Sequence, residues 1–329
     1  MNIHKPRAAL AMAALAACTL AGTVRAADDY PSRPIRMEIG YAAGGPTDVL
    51  ARILAKEMGE ILKTSIVVEN KPGASASIAA ADVMRSEPDG YKVLVTSLTW
   101  SVNPLLYPGR YNYDPVKDLT PVSNICKLPM VLVTSYNSQY KDAKSLVADA
   151  KAHPGKLTYG SSGVGGSAHL AAEMMATSDN LSMTHVPFKG NGPALQEMLA
   201  GRISFMFYPS IGIANYVQQK QLRVLGVGTK EPLADFPGVP TMESLGYHNF
   251  DEGSPWVGLL VPPATPRPIV DKLNKAVNEA LARPQVQQQF AALGAQAVGG
   301  SPEQFRDFLV QDKARWAEVI KRGNVKGED

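Results

Sequence analysis

The chain has 329 residues, 19% charged and 45% hydrophobic, with 33 Lys and Arg against 30 Asp and Glu. The basic excess belongs to the first 26 residues, which hold Lys5, Arg7 and Arg25 and no acid; the other 303 balance at 30 and 30. A neutral chain long enough for two domains loses the electrostatic support for a nucleic-acid role. Cys126 is the only cysteine beyond residue 26, which excludes an intramolecular disulfide, and its neighbours Ile125 and Leu128 predict a buried, inert thiol.

Residues 1–26 read as an export signal: Lys5 and Arg7 ahead of an apolar run from Ala8 to Ala17, then a small-residue cleavage site at Val24-Arg25-Ala26. Leu15-Ala16-Ala17-Cys18 gives the alternative of a lipidated Cys18 at the mature end. No later apolar run is long enough to span a bilayer.

From Ile35 onward strand and helix patterns alternate, which predicts an α/β protein with parallel sheets covered on both faces. Ile35, Met37, Ile39 and Tyr41 alternate as in a strand. The loop Tyr41-Ala42-Ala43-Gly44-Gly45 follows, then Pro46 and Thr47 open a helix continued by Val49, Leu50, Ile53, Leu54 and Met58. Such a junction gathers amides and a positive helix end, a geometry suited to an anion. Strands are predicted at 66–70 and 91–97 and a helix at 74–85, and Pro104 to Pro121 reads as a surface excursion without period.

A strand at 129–134 begins a second α/β unit, with strands at 157–159, 182–187, 203–207 and 222–228. It repeats the glycine-loop junction at Gly160-Ser161-Ser162-Gly163-Val164-Gly165-Gly166-Ser167. One more strand, 256–261, precedes three helices, at 268–281, 285–293 and 302–321. This tail is too poor in strands for a third domain and is expected on the first. The chain would cross between domains near 127–131 and 250–257, giving a domain of 27–129 with 251–329, another of 130–250, and a hinged cleft between them.

Taken together these residues resemble the Bug-type periplasmic solute-binding proteins of tripartite tricarboxylate transporters. The likeness runs through Tyr41 to Asp48, Val68-Glu69-Asn70-Lys71-Pro72-Gly73, Pro88-Asp89-Gly90-Tyr91, Tyr159 to Gly163 with His169-Leu170, His185 to Gly190, Trp256-Val257-Gly258-Leu259 and Pro263-Ala264-Thr265-Pro266. The resemblance implies a two-domain Venus-flytrap fold, each domain a mostly parallel sheet flanked by helices, that captures a carboxylate in its cleft. The ligand residues it implies are Tyr41, Ala43, Gly44, Gly45 and Thr47 with Ser97 and Thr99 on one side. On the other are Ser161, Ser162, Gly165, Gly166 and Ser167, with Phe188, Asn191 and Tyr208 toward the pocket's far wall. It also implies membrane permease subunits as partners, a monomeric periplasmic receptor, and no cofactor. Where many relatives carry an acid after the strand at 203–207, this chain has Tyr208-Pro209-Ser210. That favours a dicarboxylate or aromatic carboxylate over an amino acid, with Tyr41, Trp100, Phe188 and Tyr208 as an aromatic wall.

Plainer readings stand beside these. Ser161, Ser162 and Ser167 could cap the helix after them, and Asp48, in the first turn of its helix, reads as a structural cap more than a ligand contact. His169 reads as a hydrogen-bonded structural residue; His185 and His248 look isolated, and no cluster has metal spacing. Two further functions compete: a sensor presenting its ligand to a membrane receptor, and an exported hydrolase using Ser162. Gly160-Ser161-Ser162-Gly163 does not match a G-x-S-x-G elbow.

Overall fold

A computed structural model of the chain describes residues 30–210 and 212–327; the expected export signal and Cys18 lie outside them. The first stretch runs β1 (Ile35–Ile39), α1 (Pro46–Leu62), β2 (Ile66–Asn70), α2 (Ser77–Met84), β3 (Lys92–Ser97), α3 (Thr99–Leu106) and β4 (Thr120–Lys127). The chain then crosses at Leu128-Pro129 into β5 (Met130–Ser135), α4 (Ala143–Ala152), β6 (Thr158–Ser161), α5 (Ser167–Asp179), β7 (Thr184–Pro187), α6 (Asn191–Leu199), β8 (Phe205–Pro209), α7 (Ala214–Gln218) and β9 (Leu222–Val227). It returns through β10 (Trp256–Val261), α8 (Arg267–Leu281), α9 (Pro284–Ala292), β11 (Gln296–Gly299) and α10 (Pro302–Arg322).

The strands form two sheets, a six-stranded one in the order β11-β4-β10-β3-β1-β2 and a five-stranded one in the order β7-β6-β8-β5-β9. The two-domain α/β architecture is the expected one, but the sheets are mixed, not mostly parallel. β1 is parallel to β2 and β3, and β6 to β7 and β8. β10 runs antiparallel between β3 and β4, and β5 antiparallel between β8 and β9. The crossings dictate this. A strand arriving from the other domain starts at the hinge, so it runs against neighbours whose carboxyl ends point there.

The six-stranded sheet is sandwiched as its alternation requires. Ile35, Met37 and Ile39 are buried on the face covered by α1 and α8. On the other face Glu38 is wholly buried but meets Lys71 at 2.7 Å and Lys92 at 3.5 Å. Burial pushes the Glu38 carboxyl up, against the pull of Lys71. Cys126 has no exposure, and burial pushes its thiol up to about 12, the inert state expected.

Four elements escaped the sequence reading, the short α7 among them. The supposed excursion at 104–121 begins inside α3, and β4 and β11 were not foreseen. β4 carries Pro121, and its register against β10 shifts where Pro121 faces Leu260, since proline has no N–H for the ladder. β11 is a short exposed edge strand. The tail packs on the first domain as expected through α8 and α9, but the end of α10 continues onto the second, where Arg322 donates to the Thr177 carbonyl.

The two crossings lie side by side: the Leu128 amide donates to the Pro255 carbonyl at 2.7 Å, and Lys127 pairs with Asp251 at 3.4 Å. α10 clamps them. Asp312, wholly buried, accepts from the indole of Trp256 at 3.0 Å and of Trp316 at 2.8 Å, and Arg315 reaches Glu252 at 2.7 Å. Removing a carboxylate that serves two buried indoles strands both donors. Asp312→Ala should therefore cost about 3 kcal/mol in denaturant unfolding, on the order seen for broken buried pairs, and Asp312→Asn clearly less; equal losses would refute the clamp.

Candidate ligand-binding cleft

On the first domain the loop between β1 and α1 is closed from behind. Asp48, buried in the first turn of α1, accepts from the Gly44 amide at 2.8 Å, from Asn70 at 2.8 Å and from Arg52 at 3.0 Å. Burial alone would raise its carboxyl, but these bonds outweigh it and hold it below its ordinary value. Gly44 has φ +79°, a conformation side chains resist, and the Gly45 amide turns back to Ala42. The glycines thus shape the loop and spend their own amides inward. Ala42, Ala43 and Gly44 are exposed at its rim, whereas Thr47 is buried.

Beside the loop the Tyr41 hydroxyl meets Ser97 Oγ and Thr99 Oγ1, each at 2.5 Å, so three expected residues form one hydroxyl cluster. Trp100 does not join an aromatic wall. It is 2% exposed, stacks on Tyr113 at 4.1 Å and donates to the Pro115 carbonyl. The stack aims the Tyr113 hydroxyl at Ser77 and Asn103, and burial raises its pKa above the usual tyrosine range. The sequence concealed Tyr113 because it lay in the stretch without period. Asn103 also holds the Ser75 carbonyl at 2.9 Å, fixing a left-handed turn in which Ala74, Ser75 and Ala76 all have positive φ.

On the second domain the loop between β6 and α5 follows the same plan. Ser161 is wholly buried; its hydroxyl lies 2.6 Å from His185 Nε2 and donates to the Gly163 carbonyl at 2.9 Å. The Gly165 amide donates to His169 Nδ1 at 3.1 Å and the Gly166 amide to the Gly163 carbonyl at 3.2 Å. No serine caps α5: Gly166 is the capping residue and makes no side-chain bond, and Gly45 does the same for α1. By contrast α4 and α10 are shut by the capping boxes of Asp142 and Ser301. Ser162, Val164 and Ser167 remain partly exposed, and the amides of Ser162 and Val164 have no hydrogen-bond partner among the described residues.

Phe188 joins this loop through its amide to the Ser161 carbonyl at 3.0 Å, and Asn191 starts α6 with a buried Oδ1 that has no partner among the described residues. Tyr208 is half-buried opposite Val131. The domains touch at Gly165, where a Cβ would overlap Leu106 at the end of α3. His185 is not isolated: it stacks on His169 at 3.7 Å and on Tyr159 at 5.0 Å.

A cavity of about 550 Å³ also lies between the domains, lined by Pro129, Ser210, Leu233, Asp235, Ala291 and Gln296. It offers a ligand acid the carboxylate of Asp235, which would repel it. The two loops offer amides, hydroxyls and helix starts, so the candidate site is there. Among the described residues no group of acids, histidines and cysteines could hold a metal ion.

Asp48→Ala should open the first loop and cost about 1–3 kcal/mol, the range for lost hydrogen bonds to a charge. Because its folded pKa is depressed, the contribution is full above the ordinary value of 3.8 and fades as pH falls through the folded value. The gap between the melting curves of the two proteins should be steady near neutrality and narrow as pH falls below 3.8; a gap that does not narrow would contradict the brace.

A model of the family described as tripartite tricarboxylate transporter family receptor matches residues 50–325. Protein BugT of Bordetella pertussis is 34% identical over 302 residues, 91% of this chain and 92% of that one. MatC from Rhodopseudomonas palustris, solved with bound malate, superposes with TM-score 0.71 at 29% identity, covering 88% of this chain and 100% of that one. A second R. palustris protein, solved with adipate, gives 0.76 at 29%, covering 91% and 100%. With its two α/β domains and its repeated strand, glycine loop and helix junction, this chain belongs to the tripartite tricarboxylate transporter receptor family of Bug-type solute-binding proteins.

Proposed function

We propose that the chain is a periplasmic receptor that holds a small dicarboxylate between the loops at 41–47 and 161–167 and delivers it to membrane permease subunits. The observation that carries this reading is the pair of helix starts, α1 and α5, each ending in a glycine without a side-chain cap. Residues 130–250 would swing against 27–129 and 251–329 about the paired crossings, bringing the second helix start onto an acid seated on the first. Neutral amides and hydroxyls lose less on desolvation than lysine or arginine would, and they orient the acid by geometry.

The ligand class is supported by the malate and adipate of two relatives. It is supported also by Tyr208-Pro209-Ser210 at the end of β8, which supplies no carboxylate for an ammonium group. Export is supported by the sequence of residues 1–26; among the described residues no helix is long and apolar enough to cross a membrane. The hydrolase reading gains a serine–histidine contact, but at Ser161, not at Ser162. Ser161 has no exposed surface and its hydroxyl is spent on Gly163, so it cannot meet a substrate carbonyl. The receptor reading needs no catalytic group.

A ligand that binds only the folded state raises the melting temperature, by about 2.7 kcal/mol of stability at a hundredfold excess over Kd. Malate, succinate or adipate should shift the protein by several degrees, and aspartate or lysine by none. The protein should be unfolded, dialysed and refolded first, to remove any acid carried from its host. No shift with any dicarboxylate after that treatment, or a shift with amino acids alone, would overturn the proposal.

A further inference from the structure

The loop at 161–167 stands on a stack of aromatic rings. His169, in the first turn of α5, and His185, in β7, lie face to face with centroids 3.7 Å apart and planes 15° apart, and Tyr159 of β6 lies beside the pair, 5.0 Å from His185 and 6.0 Å from His169. Each imidazole holds one end of the loop. His185 Nε2 meets Ser161 Oγ at 2.6 Å where the loop begins, and His169 Nδ1 accepts the Gly165 amide at 3.1 Å where it ends. An acceptor nitrogen carries no proton, so the tautomer of His169 is set: its proton is on Nε2, facing Glu173 Oε1 at 4.0 Å. Glu173 in turn accepts from the Tyr159 hydroxyl. The end of α10 closes this foot, with Arg322 and Gly323 lining the same small cavity as Glu173.

The geometry points to His169 and His185 as positioning residues of the ligand cradle: a neutral imidazole pair that turns the Gly165 amide inward and so fixes which loop amides face the cleft. This rests on the reading that the loop at 161–167 holds the ligand. The alternative loop conformation is easy to name. Without an acceptor at position 169 the Gly165 amide is free to rotate toward the cleft, and Ser162 and Val164 lose their orientation with it. Gly165 has φ +73°, so its backbone can make that turn. Burial keeps both rings neutral, with His169 held down to about 3 and His185 to about 4, so the pair keeps its acceptor throughout the neutral range.

The test compares two replacements of each histidine. His169→Asn places Oδ1 where Nδ1 stood and keeps an acceptor for Gly165; His169→Leu fills the space and offers none. Amide hydrogen exchange by NMR on the unliganded protein should show Gly165 protected in the wild type and in His169→Asn, and exposed in His169→Leu. Affinity for malate and adipate should stay within about threefold in His169→Asn and fall about tenfold or more in His169→Leu, the consequence of one lost hydrogen bond. A merely structural ring would make both variants equally poor, and that result would overturn the proposal. So would unchanged Gly165 exchange in His169→Leu. Should His169→Leu fail to fold, His185→Gln, whose amide reaches Ser161, set against His185→Phe, which keeps only the stack, gives the same contrast. The wild-type amides of Ser162 and Val164 separate the two levels of the reading. If neither malate nor adipate shifts them, the loop is not the site. If they shift and His169→Leu still binds as tightly as wild type, the loop is the site and the histidines do not position it.

Discussion

The buried carboxylate of Asp312 is the point on which the two-domain arrangement turns. It reaches the indole at the start of β10 and the indole one turn on in its own helix. Burial pushes its carboxyl up, so the site is costly to build and tolerates little change. What it secures is the position of α10 against the crossing strands. Close beneath it Gly258 leaves room for Phe305 on the sheet, since a Cβ there would overlap the ring. With the crossings pinned, β5 and β10 must start at the hinge and run outward, and every loop that follows a parallel strand must face the cleft. The antiparallel strands of both sheets and the location of the site thus share one cause.

Within the cleft the division of labour differs from what a glycine-rich loop suggests. The amides of Gly44, Gly45, Gly165 and Gly166 are bonded to the loop itself or to a side chain behind it. Glycine serves here through backbone shape, and the groups left facing outward belong to neighbours such as Ser162 and Val164. The single carboxylate at the loop base, Asp48, would repel an acid in the open, but its oxygens are occupied by Gly44, Asn70 and Arg52. A cradle assembled from dipoles, as proposed here, would accept acids of different length and leave selection to the far wall.

The sequence revealed what depends on short-range pattern. The alternation of Ile35 to Tyr41, the helical spacing after Pro46, and the repeated loop before Ala168 placed both strand-to-helix junctions of the candidate site. Long-range pairing was hidden. β4 looked like loop because Pro121 and Asn124 break a strand pattern that only β10 and β11 on either side rescue. Trp100 read as a cleft aromatic because nothing nearby in sequence announces Tyr113 as its stacking partner. His169 and His185 are sixteen residues apart and on different elements, and only the pairing of β6 with β7, which sets Tyr159 beside His185, brings the rings together. The resemblance to a known receptor family supplied the candidate ligand residues, while a structural role for Asp48 was legible from its position in the first turn, though it braces Gly44, Asn70 and Arg52 instead of capping the helix.

α10 joins the two parts of this account. From Asp312 to Arg322 it rises about 15 Å at 1.5 Å per residue, which carries it from the hinge clamp to the foot of the histidine pair. The contacts at its two stations differ in kind. Around Asp312 they are buried and hydrogen-bonded, on the order of several kcal/mol to disrupt. At the far end Arg322, about half exposed, holds one carbonyl of α5 and lies 4.0 Å from Glu318, and exposed contacts of that type contribute about 0–1 kcal/mol. Beside it Val319, Ile320 and Val325 are buried in the same apolar cluster as Leu170, Met174 and Met175 of α5, and burial of that kind outweighs an exposed pair. The helix thus grips both domains, through a hydrogen-bonded clamp at the crossings and an apolar seam on α5, and in the proposed receptor a rotation of the second domain would have to slide α5 along that seam.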